Sequence, residues 1–157
     1  METCRDRDRF PVRKNPRMEG YNYATPNYYF VTVCTKNKKC LFASHTKCNG
    51  FGKLAEAALR EIPEHFAHIQ IDKYVIMPNH IHAIVVLEEG AASLSTVIGQ
   101  YKSYVTRQIH KIAPDTEVWQ ASFHDHVIRN KESYLRIWNY IDGNWQKWQE
   151  DCYFTEE

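Results

Sequence analysis

The sequence predicts a single α+β domain with a ferredoxin-like split βαβ arrangement, in which an antiparallel sheet carries helices on one face. Strand-like and helix-like runs follow one another in the order β-α-β-β-α-β, with one more helix after them, and that order is typical of this architecture. The chain has 157 residues, 43% of them hydrophobic and 13% aromatic. This length suits one domain, and this composition supplies a core, which excludes wholesale disorder.

A basic segment precedes the first predicted strand. Residues 1–27 lack apolar periodicity and are interrupted by prolines and a glycine, so we expect an arm there and one folded domain over residues 28–157. The net charge of the chain is only +1, but residues 1–53 hold eleven Lys/Arg against four Asp/Glu. This asymmetry indicates a basic end that suits a nucleic-acid backbone; a solubilising tail is the alternative.

The next region reads as a strand, a turn and a helix. Residues 28–35 are aromatic and β-branched, which predicts a strand, and the lysine-rich residues 36–39 predict a turn. Between Gly52 and Phe66, apolar side chains recur every four residues, which predicts a helix on the core. Pro63 is expected to kink or end that helix.

The centre of the chain predicts a hairpin followed by a long helix. Residues 69–77 and 80–87 are strand-like, and the Pro78-Asn79 pair between them suits a tight turn. Ser93 is a candidate N-cap for the helix that follows. Its apolar stripe consists of Leu94, Val97, Ile98, Tyr101, Val105, Ile109 and Ile112.

The last two elements are a strand and a helix. Residues 119–128 predict a strand with its lead-in, and a helix is expected from Glu132 onward. The side chains expected to mark this helix are Tyr134, Trp138, Ile141, Trp145 and Trp148.

His80 and His82 are the most informative pair in the sequence. Side chains two apart in a strand point to the same face, roughly 6.5 to 7 Å apart along the chain. The apolar residues 83–87 that follow indicate a central strand with both imidazoles at its entry end. Two imidazoles can bind a divalent ion if further ligands complete the shell, although a His-x-His pair also arises by chance. Ile84 stands where a histidine-triad nucleotide hydrolase would have a third histidine, which disfavours that class.

Tyr140 and Asn144 are one helical turn apart in the last predicted helix, so both side chains are expected on one face beside the core stripe. A phenol near a divalent cation can attack phosphorus as a covalent nucleophile, because the cation polarises the phosphate and favours the phenolate. Asn144 could supply an oxygen ligand. A packing role is the common alternative for a single tyrosine among ten.

Together these features resemble the IS200-like tyrosine transposases, including their relatives associated with repetitive extragenic palindromes, within the broader HUH endonucleases. The resemblance covers most of the chain. The segments that carry it are residues 14–42, residues 74–82, residues 118–120, residues 123–130, and Tyr140-Ile141 with Asn144.

The resemblance implies a DNA transposase that cleaves hairpin-bearing single-stranded DNA and forms a 5′-phosphotyrosine bond while freeing a 3′-hydroxyl. Tyr140 would be the nucleophile, and His80, His82 and Asn144 would bind Mg²⁺ or Mn²⁺. Some members are homodimers, so a homodimer is one expected state. The chain departs from the common family pattern in having Trp145 where many members have proline, and Gly143 lowers helix propensity by about 1 kcal/mol relative to alanine.

Other polar residues are weaker candidates for the site. His124 and His126 could face it, but an ordinary edge-strand surface is the favoured interpretation. A polar face on the second helix could meet a DNA backbone, and a solvated face is the alternative. The residues predicted to bind DNA are Arg13, Lys14, Arg17, Lys102, Arg107 and Lys111.

Three other functions are compatible with the sequence. A noncatalytic single-stranded nucleic-acid binder would form no covalent adduct. A replication or conjugation nickase would share the chemistry but usually carries further domains. A metal-dependent phosphohydrolase of small nucleotides would keep its activity in Tyr140→Phe.

The compartment signals in the sequence are few, and they agree. No stretch reaches the ~18 apolar residues of a membrane span, and the first ten residues lack the apolar run of a secretion signal, so we expect a cytoplasmic protein. The five cysteines form no C-x-x-C pair and are expected to be reduced thiols.

Overall fold

A computed structural model of the protein describes residues 27–44 and 47–156. The arm predicted for residues 1–27 lies outside the described residues except for its last residue, and Arg13, Lys14 and Arg17 lie outside them as well. The elements are β1 (Asn27–Cys34), α1 (Gly50–Arg60), α2 (Ile62–His65), β2 (Ile69–Ile76), β3 (His80–Leu87), α3 (Leu94–His110), β4 (His124–Ile128) and α4 (Lys131–Asp142), with short 3-10 turns at Lys36–Lys38 and Trp148–Glu150.

The four strands form one antiparallel sheet in the order β2-β3-β1-β4. β1 and β3 are the central strands, and their register sets Cys34 opposite His80 and Thr32 opposite His82. The sequence prediction of an α+β, split βαβ fold is confirmed by this order. In the described part of the chain, no helix has both the length and the hydropathy that crossing a bilayer requires.

The two faces of the sheet are covered by different helices. Val31, Ile81 and Val85 point into the larger apolar cluster, which α1 and α3 complete. Phe30 and Ile84, one residue out of phase, point to the opposite face, where α4 packs against them. The prediction of helices on one face therefore applies to α1 and α3, while the C-terminal helix covers the second face.

The first predicted helix is present but divided. α1 starts after Asn49, whose side chain accepts a hydrogen bond from the Gly52 backbone N–H, and it ends at Arg60. A separate turn, α2, holds Pro63 near its start, where the missing N–H of proline costs no helical bond. The prediction that the helix is interrupted at Pro63 is thus correct. The prediction that its buried side chains recur at every fourth residue is not. The buried side chains follow the 3.6-residue period instead, at Ala55, Ala58, Leu59 and Ile62.

α3 matches its prediction closely. Ser93 caps the helix by accepting a hydrogen bond from the Thr96 N–H at 3.2 Å, and the predicted stripe is buried from Leu94 to Ile109. Ile112 was expected in that stripe, and this was wrong. The helix ends at His110, so Ile112 no longer follows the helical phase and is 72% exposed.

α4 is shorter than the sequence predicts. It begins after the cap Asn130 and ends at Asp142, because Gly143, a poor helix former, stands at its C-cap. Only Ile137 and Ile141 are fully buried along it, and Trp138 is half-buried. The prediction of one helix running through Trp148 is therefore wrong, and a turn followed by a short 3-10 segment replaces its second half.

Candidate active site

The two histidines of β3 form a close pair at the entry end of that strand. The ring centroids of His80 and His82 are 4.5 Å apart, and the rings are inclined by 70°. Both side chains are buried, at 0% and 2% exposure. They lie on the α4 face of the sheet, as the alternation along the strand predicts.

Each imidazole is oriented by a hydrogen bond at its Nδ1 atom. His80 Nδ1 lies 2.8 Å from Asn79 Oδ1, and His82 Nδ1 lies 2.8 Å from Thr32 Oγ1. Such bonds at Nδ1 make Nε2 the ring nitrogen that can serve as a ligand, and partners of this kind are what orients metal-binding histidines. The adjacent asparagine and the neighbouring strand therefore prepare both rings to bind one ion.

Burial keeps both imidazoles neutral. It lowers the pKa of His80 from 6.5 to about 3, and the Asn144 side chain opposes part of this change. Burial also lowers the pKa of His82 well below 6.5, and the neighbouring His80 lowers it further. The neutral form of histidine is the one that binds a metal, so both imidazoles are in the protonation state of a metal ligand at neutral pH.

Tyr140 reaches the histidine pair from α4. Its hydroxyl lies 3.5 Å from His82 Nε2, and its ring meets the His82 ring at 5.3 Å between centroids. Phe30 packs edge-on against the same tyrosine ring, at 6.2 Å and 90°. Tyr140 as a whole is only partly buried. The tyrosine and the histidines belong to the same chain.

Asn144 also reaches the site, but not in the way the sequence predicts. It lies beyond the end of α4 and not on one helical face with Tyr140, and it is buried to 2% exposure. Its Nδ2 donates a 2.7 Å hydrogen bond to Asp151 Oδ2. The remaining amide oxygen, Oδ1, is buried without a hydrogen-bond partner among the described residues, as is His80 Nε2. Two buried acceptor atoms without donors are what a bound cation would satisfy.

Asp151 is a site residue that the sequence reasoning missed. Its carboxylate and one ring nitrogen from each of His80 and His82 all lie within 4.8 Å of one another. The second carboxylate oxygen accepts from the Tyr153 N–H at 2.8 Å. Imidazole, amide and carboxylate donors together fit a hard or borderline divalent cation such as Mg²⁺ or Mn²⁺. No periodicity marks Asp151, since it follows α4 in an irregular segment.

The segment after α4 closes one side of the histidine pair. The Tyr153 ring packs on His80 at 4.4 Å between centroids, and its carbonyl accepts a 2.7 Å hydrogen bond from Asn79 Nδ2. Burial raises the pKa of the Tyr153 hydroxyl. A phenol held in the neutral form and packed as a wall is a poor nucleophile, so the chemistry of the site favours Tyr140.

The other predicted residues stand apart from this cluster. Lys102, Arg107 and Lys111 belong to α3 and its end, on the opposite face of the sheet, and Lys102 Nζ donates to the carbonyls of Gln120 and Ser122 at 2.8 Å each. Their predicted contact with DNA remains a prediction.

His124 and His126 lie on the outer strand β4, opposite Thr32 and Phe30 respectively. They therefore share the sheet face of His82. The cluster of ligand atoms around His80, His82 and Asp151 does not include either of them.

Three comparisons with known proteins agree with one another. The family model described as "Transposase IS200 like" matches residues 23–144. An uncharacterized protein of Haemophilus influenzae is 30% identical over 169 residues, covering 92% of this chain and 94% of the relative. The structure of a REP-associated tyrosine transposase bound to a REP hairpin has the same fold, with a TM-score of 0.62 and 22% identity, over 83% of this chain and 73% of the other.

Proposed function

The chain belongs to the IS200-like transposase family, and on this premise we propose that it cleaves and rejoins single-stranded DNA with Tyr140 as the nucleophile. The observation that carries the proposal is the 3.5 Å separation between the Tyr140 hydroxyl and His82 Nε2. Members of this family are DNA-processing enzymes, and a phenol beside two buried imidazoles suits such chemistry. A fold of this kind alone would not identify the reaction.

His80, His82 and Asn144 are proposed to hold a divalent cation, with Asp151 as a fourth ligand. The orphaned Nε2 of His80 and Oδ1 of Asn144 support this assignment. When bound, the cation supplies polarisation of the scissile phosphate and stabilises the phenolate. Asp151 has a second role, since it accepts a hydrogen bond from Asn144 Nδ2 and so leaves the amide oxygen of Asn144 as the atom that can bind the ion.

The proposed reaction is the one that the family resemblance implies, with Tyr140 as the attacking group. Its hydroxyl oxygen forms a bond to phosphorus and loses its proton to water, while the bond from phosphorus to the 3′-oxygen breaks. The leaving 3′-oxygen takes up a proton, which yields a 3′-hydroxyl and a 5′-phosphotyrosine. Rejoining is the reverse attack by a 3′-hydroxyl. One phosphodiester is exchanged for another, so no energy source is needed.

The proposed substrate is hairpin-bearing DNA. A structural relative is bound to a REP hairpin, which supports a folded single strand as the partner here too. The proposed ligands and the nucleophile all come from one chain, so a single copy can supply the whole site. The expected homodimer remains a prediction.

The decisive experiment looks for a covalent adduct. Labelled hairpin DNA with single-stranded flanks is mixed with protein and Mn²⁺, and denaturing gels report any protein–DNA band. The wild-type chain should form the band, and Tyr140→Phe and His80→Ala should lose it. Tyr153→Phe is the matched control, because it removes the other phenol near the histidines.

The other functions predict different results. Persistence of the band in Tyr140→Phe would refute the assignment of the nucleophile. A wild-type protein that binds the hairpin without any adduct would instead be a noncatalytic binder. Calorimetric titration with Mn²⁺ tests the ligands separately. Asn144→Ala and Asp151→Ala should weaken binding of the ion by about 10- to 100-fold, as loss of a ligand or its supporting partner does elsewhere.

A further inference from the structure

A basic turn lies between β1 and α1, close to the histidine pair but outside it. Lys36, Lys38 and Lys39 stand within four residues, and all three side chains are exposed. In the described part of the chain, none of their ammonium groups is held in an ion pair. The positive charge of this turn is therefore available to an external anion.

The backbone of this turn is held in an unusual conformation. Asn37 and Lys38 both have φ of 55°, in the left-handed region that costs a lysine free energy. Hydrogen bonds hold the turn from within, since Thr35 Oγ1 donates to Lys39 O at 2.7 Å and Lys38 N donates to Thr35 O at 3.3 Å. Neighbouring structure thus fixes the direction in which the lysines project.

One asparagine joins this turn to the proposed active site. Asn79 donates through Nδ2 to Lys38 O at 3.2 Å, and its Oδ1 lies 2.8 Å from His80 Nδ1. Lys38 also sits over the Tyr153 ring, 5.9 Å from its centroid. The lysine turn and the metal ligand therefore have a fixed relation to each other.

An open groove of about 700 Å³ runs along the same turn. The residues that line it include Asn37, Lys38, Lys39, Ser44, Lys47 and Asn49. Glu156 is the single acid among its lining residues, so lysines outnumber acids in the groove. An open groove lined by exposed lysines suits the backbone of a polyanion better than a small anion, which would need an enclosed set of donors.

We propose that the turn of residues 36–39 and its groove bind the phosphodiester backbone of single-stranded DNA beside the scissile phosphate. This inference rests on the proposed function, which makes DNA the occupant of the neighbouring site. Contacts between ammonium groups and phosphates carry no sequence information, so the groove would position the strand and leave its sequence unread. The bonds of Asn79 would keep that strand in register with His80.

The test measures binding without chemistry. An oligothymidylate of about 15 nucleotides is titrated with full-length protein in EDTA, and anisotropy is followed over a range of salt concentrations. The double variant Lys38→Asn/Lys39→Gln removes two charges, and asparagine tolerates the left-handed backbone at position 38. The salt slope should fall by about 1.4, and affinity should fall about tenfold or more at ~0.1 M salt.

The control is Lys131→Gln. Lys131 is exposed at the start of α4, close to residue 128, at the opposite end of the strands from Cys34 and His80. It should leave the slope unchanged. Glu156→Gln removes the acid of the groove and should strengthen binding. An unchanged slope in the double variant would overturn the inference.

The two proposals fail in different ways. A wild-type chain that forms the adduct, together with an unchanged slope in the lysine variant, would retain the tyrosine chemistry and reject the groove. A reduced slope without any adduct would retain the groove and reject the chemistry. Equal loss in the Lys131 control would also reject the groove, because it would show a general charge effect.

Discussion

The two faces of the sheet differ in what they bury. The face under α1 and α3 encloses a large apolar cluster that extends from Tyr29 to Val127, with the carboxyl group of Asp125 as a buried polar group at its β4 edge. The face under α4 has a small apolar cluster of five buried side chains, and beside it lie the buried polar groups of His80, His82 and Asn144. Buried polar groups without full partners cost free energy, so the second face gives up stability for its chemistry.

This difference assigns separate roles to the two faces. Substitutions under α3 should change stability and leave the chemistry of the folded protein intact. Substitutions of His80, His82 or Tyr140 on the α4 face should abolish the chemistry and leave most of the stability at neutral pH. Three predictions test this division, from the largest expected change in free energy to the smallest.

The first prediction concerns Ile98, which is 1% exposed in the α3 cluster. Ile98→Ala should lower the free energy of unfolding by about 2–5 kcal/mol, because it removes buried methyl groups and leaves a cavity. Urea denaturation measures the change. Ile112→Ala is the control, since Ile112 is 72% exposed and should change stability by no more than about 0.5 kcal/mol.

Equal costs for Ile98→Ala and Ile112→Ala would break the comparison. The folded fraction of Ile98→Ala should still form the Tyr140 adduct at the wild-type rate in Mn²⁺. A large loss of that rate at full folding would show that the two faces are coupled through the sheet, and the division of roles would then be wrong.

The second prediction concerns pH and the histidine pair in metal-free protein. The pKa of His80 is about 3 in the folded state and 6.5 as its ordinary value, so the unfolded chain binds the extra proton between these limits. Stability should therefore be full above about pH 6.5 and should fall as pH falls toward 3. The loss from His80 alone should be about 2 kcal/mol at about pH 5.

Urea midpoints at a series of pH values measure this slope. His80→Gln should remove its share of the slope, because glutamine does not titrate. His124→Gln is the comparison, since the pKa of the half-buried His124 is also lowered by burial. It should remove less of the slope than His80→Gln does. The reverse order would contradict the view that the buried histidine pair bears most of the electrostatic cost on this face.

The same division decides what could be predicted from the sequence. The α3 face is built from regular elements, so the stripe from Leu94 to Ile109 and the cap Ser93 follow from helical spacing. His80 and His82 follow from strand alternation in the same way. Periodic spacing thus predicts the order of the elements along the chain, the core and half of the proposed ligand set.

The rest of the site is formed by irregular backbone, and hydrophobic periodicity does not predict where the side chains of such a segment lie. Gly143 ends α4 before Asn144, so the residue enters the site from a turn and not from the predicted helix face. Asp151 and Tyr153 join it through tertiary hydrogen bonds to Asn144 and Asn79. Contacts made by an irregular segment depend on where the whole chain folds, which local spacing cannot encode.

The third prediction concerns the contact between α4 and the edge strand β2. Lys73 on β2 lies over the Trp138 ring at 3.9 Å from its centroid, and its Nζ donates to Asp142 Oδ1 at 2.8 Å. Asp142 is 56% exposed, so water screens this pair. Asp142→Asn should cost only about 0.2–1 kcal/mol of unfolding free energy, and less at high salt.

A double-mutant cycle with Lys73→Gln isolates the ion pair from the cation–π contact, because Asp142→Asn keeps the latter. A coupling energy of that small size, with adduct formation unchanged, would mean that Ile137 and Ile141 hold α4 on the sheet by packing. A coupling well above 1 kcal/mol, accompanied by slower adduct formation, would mean that the edge contact positions Tyr140. The position of α4 on the sheet would then depend on the Lys73–Asp142 contact at its edge more than on the packing of its small apolar cluster.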